Sequence, residues 1–116
     1  MAPRSAIQRR RVARARIAQI RDRIGTIEHL CSGTLLRRTK KCGKAACRCA
    51  TDPTARHGPY YEWGRMQGGR LVHRMVSPAR AALLRGAITN YRTLRRLMRA
   101  WENETVKLLE AEANDS

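Results

Sequence analysis

The apolar positions of this chain fall into two helical patterns with an alternating stretch between them. Ala13, Ile17, Ile20, Ile24, Ile27 and Cys31 step by 4, 3, 4, 3 and 4, the a/d seam of a heptad. Ser5 suits the N-cap and Ser32-Gly33 the stop, so the spacing predicts a helix over 5–31, weakened near its middle by Gly25. Arg9, Arg16 and Arg23 recur every seven residues on the opposite side, a basic stripe. Residues 34–41 allow a short strand, and residues 42–58, aperiodic and holding Cys, Gly, Pro and Asp, read as a loop. Tyr60 to Met66 and Arg70 to Val76 flank Gln67-Gly68-Gly69, a hairpin signature. Ser77-Pro78 then sets an N-cap Ser before a Pro at the first helical position. Leu84, Ala87, Tyr91, Leu94, Met98, Trp101, Thr105 and Leu108 form a second heptad seam, on a helix reaching residue 113.

The expected fold is therefore α+β and a single domain over 1–116. It runs from a basic helix (5–31) through a Cys-rich loop and strand (33–58) and a β-hairpin (59–76) to a long helix with an acidic tail (77–113). A hairpin alone is marginally stable, so a third strand or a helix must pack on it. The two seams can pair with each other or between subunits, and their length favours a homo-oligomer built partly on the C-terminal helix.

Charge changes this picture most. The chain carries 25 Lys and Arg against 9 Asp and Glu, a formal net charge of +16. Polyanions are the natural partners of such a surface, and DNA and RNA are the commonest of them. Residues 1–30 hold eight Arg and two acids, residues 31–50 six basic residues and no acid, and residues 77–100 six Arg and no acid. Residues 101–116 reverse the balance, with five acids against Lys107, so this tail either binds the basic surface in cis or is a solvated helix end. Arg outnumbers Lys by 21 to 4; its planar fork suits phosphates and guanine edges, although a G- and C-rich genome gives the same bias. Arg85, Arg92, Arg96 and Arg99 share one helix face and make a second basic stripe. With no Phe and only Tyr60, Tyr61, Trp63, Tyr91 and Trp101 as aromatics, a deep apolar enzyme pocket is not expected. No run approaches the roughly 18 apolar residues of a membrane span. The Arg-rich start resembles a transit peptide but continues unbroken into the helical pattern, so a cytoplasmic protein is expected.

The candidate chemistry lies in Lys41-Cys42-Gly43-Lys44-Ala45-Ala46-Cys47-Arg48-Cys49, with His57 eight residues further on. Three thiols and an imidazole in one loop can converge on a tetrahedral Zn²⁺, so the candidate ligands are Cys42, Cys47, Cys49 and His57, with Cys31 as an alternative fourth. Structural zinc would fix a loop too poor in apolar residues to order itself. Disulfides, redox-active thiols beside Lys41, Lys44 and Arg48, and small buried residues are the competing readings. No Glu near the cluster offers a general base, and no nucleophile–base pairing stands out, so an enzyme is not expected.

Gly33 to Ala50 (GTLLRRTKKCGKAACRCA), His57 to Trp63 (HGPYYEW) and Gly68-Gly69-Arg70 are similar to a family of small, uncharacterised bacterial and archaeal proteins. That family has a Gly-Ser/Thr-Leu start, a K-C-G-K-x-x-C-x-C core, H-G-P-Y-Y, a hairpin, and a helix with an Asn-Tyr-Arg element, here Asn90-Tyr91-Arg92. The resemblance covers residues 33–100 and departs at Ala45-Ala46, where a Pro is common, and in its longer Arg-rich N-terminal helix. Members tend to be encoded near transposases, which implies a nucleic-acid-linked role and a transposase or recombinase as partner; the family carries no established activity.

Together these readings lead to a nucleic-acid-binding accessory protein of a mobile element, with duplex DNA favoured over RNA. The phosphate contacts are expected from Arg9, Arg10, Arg16, Arg23, Arg37, Arg38, Lys40, Lys41, Lys44, Arg48, Arg85, Arg92, Arg96 and Arg99. Arg65, Arg70 and Arg74 would come from the hairpin as a β-ribbon. Tyr60, Tyr61 and Trp63 are the residues for base stacking, or else for core packing. An RNA-binding protein and an assembly subunit of a larger nucleoprotein complex are the alternatives.

Overall fold

The computed structural model describes residues 4–113. Helix α1 spans Ala6–Gly25, strand β1 Thr34–Lys40, β2 His57–Gln67, β3 Arg70–Val76, and helix α2 Pro78–Ala113; two single-turn helices, Arg48–Ala50 and Pro53–Ala55, lie between β1 and β2. The class is α+β, with the first strand and the long helix where the pattern placed them; β2 begins at His57, inside the stretch expected to be loop, because its first residues pair with the end of β1. The chain forms two compact units: the segment up to Leu30 with that from Asn90 onward, and Cys31–Thr89 between them.

In the first unit α1 opens with a capping box. The Ser5 hydroxyl accepts from the Gln8 amide at 3.2 Å, and the Gln8 side chain accepts from the Ser5 amide at 3.0 Å. The helix stops at Gly25 instead of continuing to Cys31. Thr26 closes it, its amide and its hydroxyl both donating to the Arg23 carbonyl, at 3.2 and 2.7 Å, while the Ile27 amide donates to the Ile24 carbonyl at 3.1 Å. Ile27 and Cys31 stay half-buried without helical backbone, so the apolar pattern outlasts the helix.

The later turns of α2 run antiparallel to α1. Arg16 meets Glu104 at 3.6 Å, and the Asn90 side-chain Nδ2 donates to the His29 carbonyl at 2.9 Å. Ala13, Leu97 and Ala111 are buried here, with Ile17, Ile20 and Ile24 half-buried. The expected α2 seam is rotated in this unit: Met98 and Thr105 are exposed, and Leu97, Glu104 and Ala111 take the inner positions. A carboxylate can hold an inner position because cations meet it there, Lys107 at 3.0 Å and Arg16.

In the second unit the three strands are antiparallel in the order β1-β2-β3. Strand alternation puts Leu35, Arg37, Tyr61, Trp63, Arg65, Gln67, Arg70, Val72, Arg74 and Val76 on one face. The other carries Leu36, Arg38, Tyr60, Glu62, Met66, Leu71, His73 and Met75. The first face is the covered one towards Leu35, Tyr61, Trp63 and Val76, which are half-buried. The Trp63 indole N–H donates to the Ser32 carbonyl at 3.0 Å, drawing the lead-in to β1 across its ring. Gly33 sits there at φ +113°, and a Cβ at this position would lie 2.4 Å from the Gly64 oxygen, so no larger residue fits without displacing the backbone. Ser77 caps α2 at the Arg80 amide, and the first turns of that helix bury Ala81, Leu84, Ala87 and Ile88.

Candidate metal centre and basic surface

The β1–β2 ladder closes at Lys40↔His57, leaving residues 41–56 as a loop held at both ends. Cys42 follows the end of β1 and His57 opens β2, so strand pairing brings the first and last candidate ligands together. Between them the chain doubles back. Gly43 takes φ +83°, a conformation that favours glycine, and the Cys47 amide donates to the Lys44 carbonyl at 3.1 Å. The Arg48–Ala50 turn then carries Cys49 inward, where it is fully buried.

The donor atoms of Cys42, Cys47, Cys49 and His57 all lie within 4.8 Å of one another. Cys42 Sγ and Cys49 Sγ are 3.6 Å apart, and Cys47 Sγ and His57 Nε2 are 3.4 Å apart. An ion with metal–sulfur bonds of about 2.3 Å and metal–nitrogen bonds of about 2.0–2.1 Å has tetrahedral edges of about 3.8 and 3.6 Å. The two pairs are close to those edges, and the four groups together could hold a metal ion. Cys31 lies outside the cluster, so His57 and not Cys31 is its fourth candidate ligand. The Cys42 amide donates to Cys49 Sγ at 3.4 Å and holds that thiol below its ordinary value, opposed by burial and helped by the Cys47 and Cys42 side chains and the Arg56 charge. Cys47 is pulled down by the Cys49 amide, yet the Cys49 and Cys42 side chains and burial outweigh this and leave it raised. Asp52 braces the far side of the loop: it accepts from the Thr54 hydroxyl at 2.6 Å and amide at 2.9 Å and from Arg48 at 3.1 Å, which holds its carboxyl below the usual range.

The basic residues are distributed over both units. Arg9, Arg16 and Arg23 are exposed on α1, where Arg10 is half-buried; Arg92, Arg96 and Arg99 are exposed on α2, as is Arg85 nearer its start. The sheet unit is the more strongly charged, with twelve Lys and Arg against Asp52 and Glu62, a net +10. Both acids are engaged: Asp52 with Arg48, and Glu62 with Arg38 at 2.9 Å and His73 at 3.1 Å. Among the described residues, no ion pair reaches Arg37, Lys41, Lys44, Arg70 or Arg74, all of them exposed. The aromatics already have neighbours. The Arg65 guanidinium sits 4.3 Å from the Trp63 ring centre, the Lys40 ammonium 5.1 Å from that of Tyr60, and Tyr61 is half-buried. One face of Trp63 and one of Tyr60 are thus taken by a cation.

Sequence reasoning passed over Glu62, Glu104 and Arg56. Acids scattered in a basic chain read as solvated until tertiary structure surrounds them with cations. Among the described residues no helix is long and apolar enough to cross a membrane. Neither a curated protein nor a solved structure matches this chain. A family model described as a domain of unknown function, DUF6788, matches residues 6–86, which takes in α1, the sheet and all four candidate ligands, and the chain belongs to that family.

Proposed function

We propose that this protein binds nucleic acid, duplex DNA in preference to RNA, through the sheet unit, and that a structural Zn²⁺ on Cys42, Cys47, Cys49 and His57 fixes the loop that carries part of the basic surface. The observation behind the reading is the charge imbalance of residues 31–89: twelve cationic side chains face two carboxylates that are already paired. Phosphates supply the missing counter-charge. Zinc is favoured among metals because three thiolates and one imidazole in a closed four-donor set are its structural coordination. Its part is to hold Lys41, Lys44 and Arg48 in fixed positions, so that fewer side-chain and backbone freedoms are lost on binding. The link to a mobile element, with a transposase or recombinase as partner, rests on the family resemblance alone.

Fluorescence anisotropy of the zinc-loaded chain against duplex DNA, single-stranded DNA and structured RNA, each at several salt concentrations, tests the reading. About eight phosphate contacts give a slope of log affinity on log salt near −7 for the duplex. Weak binding to all three, or an equal and steeply salt-dependent affinity for all three, removes the DNA preference. A clear preference for RNA transfers the proposal to the RNA-binding alternative.

A further inference from the structure

We propose that the tip of the β2–β3 hairpin is a base-reading ribbon for the DNA major groove, with Arg65, Gln67 and Arg70 as the reading side chains. This rests on the nucleic-acid reading above and extends it from affinity to choice of sequence.

The argument begins with a difference in strand length. β1 pairs with β2 only as far as Thr34↔Gly64, whereas β2 and β3 continue through Arg65↔Val72 and Met66↔Leu71 to Gln67↔Arg70. Those last three rungs have no third strand beside them. At about 3.3 Å per residue they project about 10 Å, comparable with the major groove's depth of about 8.5 Å. Two strands about 4.8 Å apart, with side chains, fill a groove about 12 Å wide, which is how two-stranded ribbons read DNA.

The chemistry of the tip matches that setting. Gly68 and Gly69 turn the chain at φ +58° and +79°, and the space where a Cβ would stand at either is open, so the apex is bare backbone. Gln67 and Arg70 face each other on the final rung, both exposed. Arg forks onto the O6 and N7 acceptors of guanine, and Gln pairs with the N7 and N6 of adenine. Arg65 lies on the same face, its guanidinium held over Trp63 at 4.3 Å and donating to Gln67 Oε1 at 3.4 Å, so the reading groups are oriented before DNA arrives. On the reverse face Met66 and Leu71 are 63% and 61% exposed, apolar surface for thymine methyl groups. Arg37 and Arg74 are set back from the tip, where the phosphate backbone passes.

The test is selection of the full-length, zinc-loaded chain on a pool of duplexes with a randomised core, read by sequencing, alongside salt titration on one fixed duplex. The expected result is an enriched motif containing G and A. Arg70→Ala and Gln67→Ala lose the preference at particular base pairs by about tenfold to a hundredfold, with the salt slope changed by no more than about one charge. Arg70→Lys keeps charge and fold but not the planar fork; it retains affinity for the fixed duplex and loses the preference at its base pair. The double variant Arg37→Ala/Lys44→Ala keeps the motif and lowers the salt slope. An unselective wild type that still binds duplex overturns the ribbon and leaves the DNA reading standing, as does a motif unchanged by Arg70→Ala and Arg70→Lys. A wild type that binds no duplex overturns both.

Discussion

Chelation is the perturbation that separates a metal-pinned loop, as proposed above, from an ordinary one. Within residues 41–56 only Cys49 is fully buried, and Cys47, Ala50, Asp52, Ala55 and Arg56 are half-buried, so the loop has no apolar cluster to order it in place of an ion. By linkage, free zinc a thousandfold above its dissociation constant stabilises the folded form by about 4 kcal/mol. For a domain of this size each kcal/mol moves the melting midpoint by about 4–8 °C, so chelation lowers it by about 15–30 °C. Native mass spectrometry of protein purified without chelator should show one bound zinc. Cys47→Ser, which takes away the sulfur 3.4 Å from His57 Nε2, abolishes the bound ion. Cys31→Ser, outside the cluster, retains it and its melting midpoint. Amide exchange after chelation then accelerates at Cys47, Ala50 and Ala55, whose N–H groups are bonded inside the loop. A protein that contains no metal when purified refutes the reasoning. So does one that loses its zinc with no change in melting or exchange.

Three further outcomes follow from the packing. Gly33→Ala combines an unfavourable φ with a 2.4 Å approach to the Gly64 oxygen and weakens the Trp63–Ser32 bond, and should cost about 2–4 kcal/mol by urea denaturation. Glu104→Leu removes a desolvated carboxylate with one unpartnered oxygen, while Arg16 and Lys107 are about half exposed and return to water; urea denaturation should find it neutral or stabilising by about 1–2 kcal/mol. The Asp52 carboxyl, followed by NMR titration, should have its midpoint below the ordinary value near 3.9, raised most by Thr54→Val and less by Arg48→Ala. Because the folded form lowers that pKa, the stability Asp52 contributes is complete above the unfolded value and disappears as pH falls through the folded one.

How far the sequence could be read depended on whether the deciding interaction was local. The β2–β3 turn and the start of α2 were legible because Gly68-Gly69 and Ser77-Pro78 act within a few residues. Cys42, Cys47, Cys49 and His57 were all visible as candidate ligands, but Cys31 stayed open as an alternative fourth until the Lys40↔His57 strand register, which no spacing rule encodes, placed His57 beside the thiols. The helix boundary at Gly25 was read only as a weak point, since the Thr26 hydroxyl bond that completes the stop depends on side-chain geometry. Beyond Leu94 the expected α2 seam kept Trp101 and Leu108 half-buried but missed the buried Glu104, which reads as polar, while Arg16, 88 residues away in sequence, helps make its burial tolerable. For the aromatics, the hairpin pattern put Trp63 on a strand but could not show the guanidinium and the backbone carbonyl that meet its ring.

In the order β1-β2-β3, among the described residues no further strand pairs with the outer edges of β1 and β3, and unpaired edges invite other copies to add to them. Here mutual repulsion guards them: β1 carries Arg37, Arg38 and Lys40, β3 carries Arg70 and Arg74, and the unit holds a net +10. That guard works only while the charge is bare. A polyanion that neutralises the unit also silences the repulsion between neighbouring copies, so co-aggregation should be greatest near charge balance and recede when DNA is in excess. Colloidal stability in this protein is therefore a property of the mixture it is in, set by the ratio of phosphate to chain.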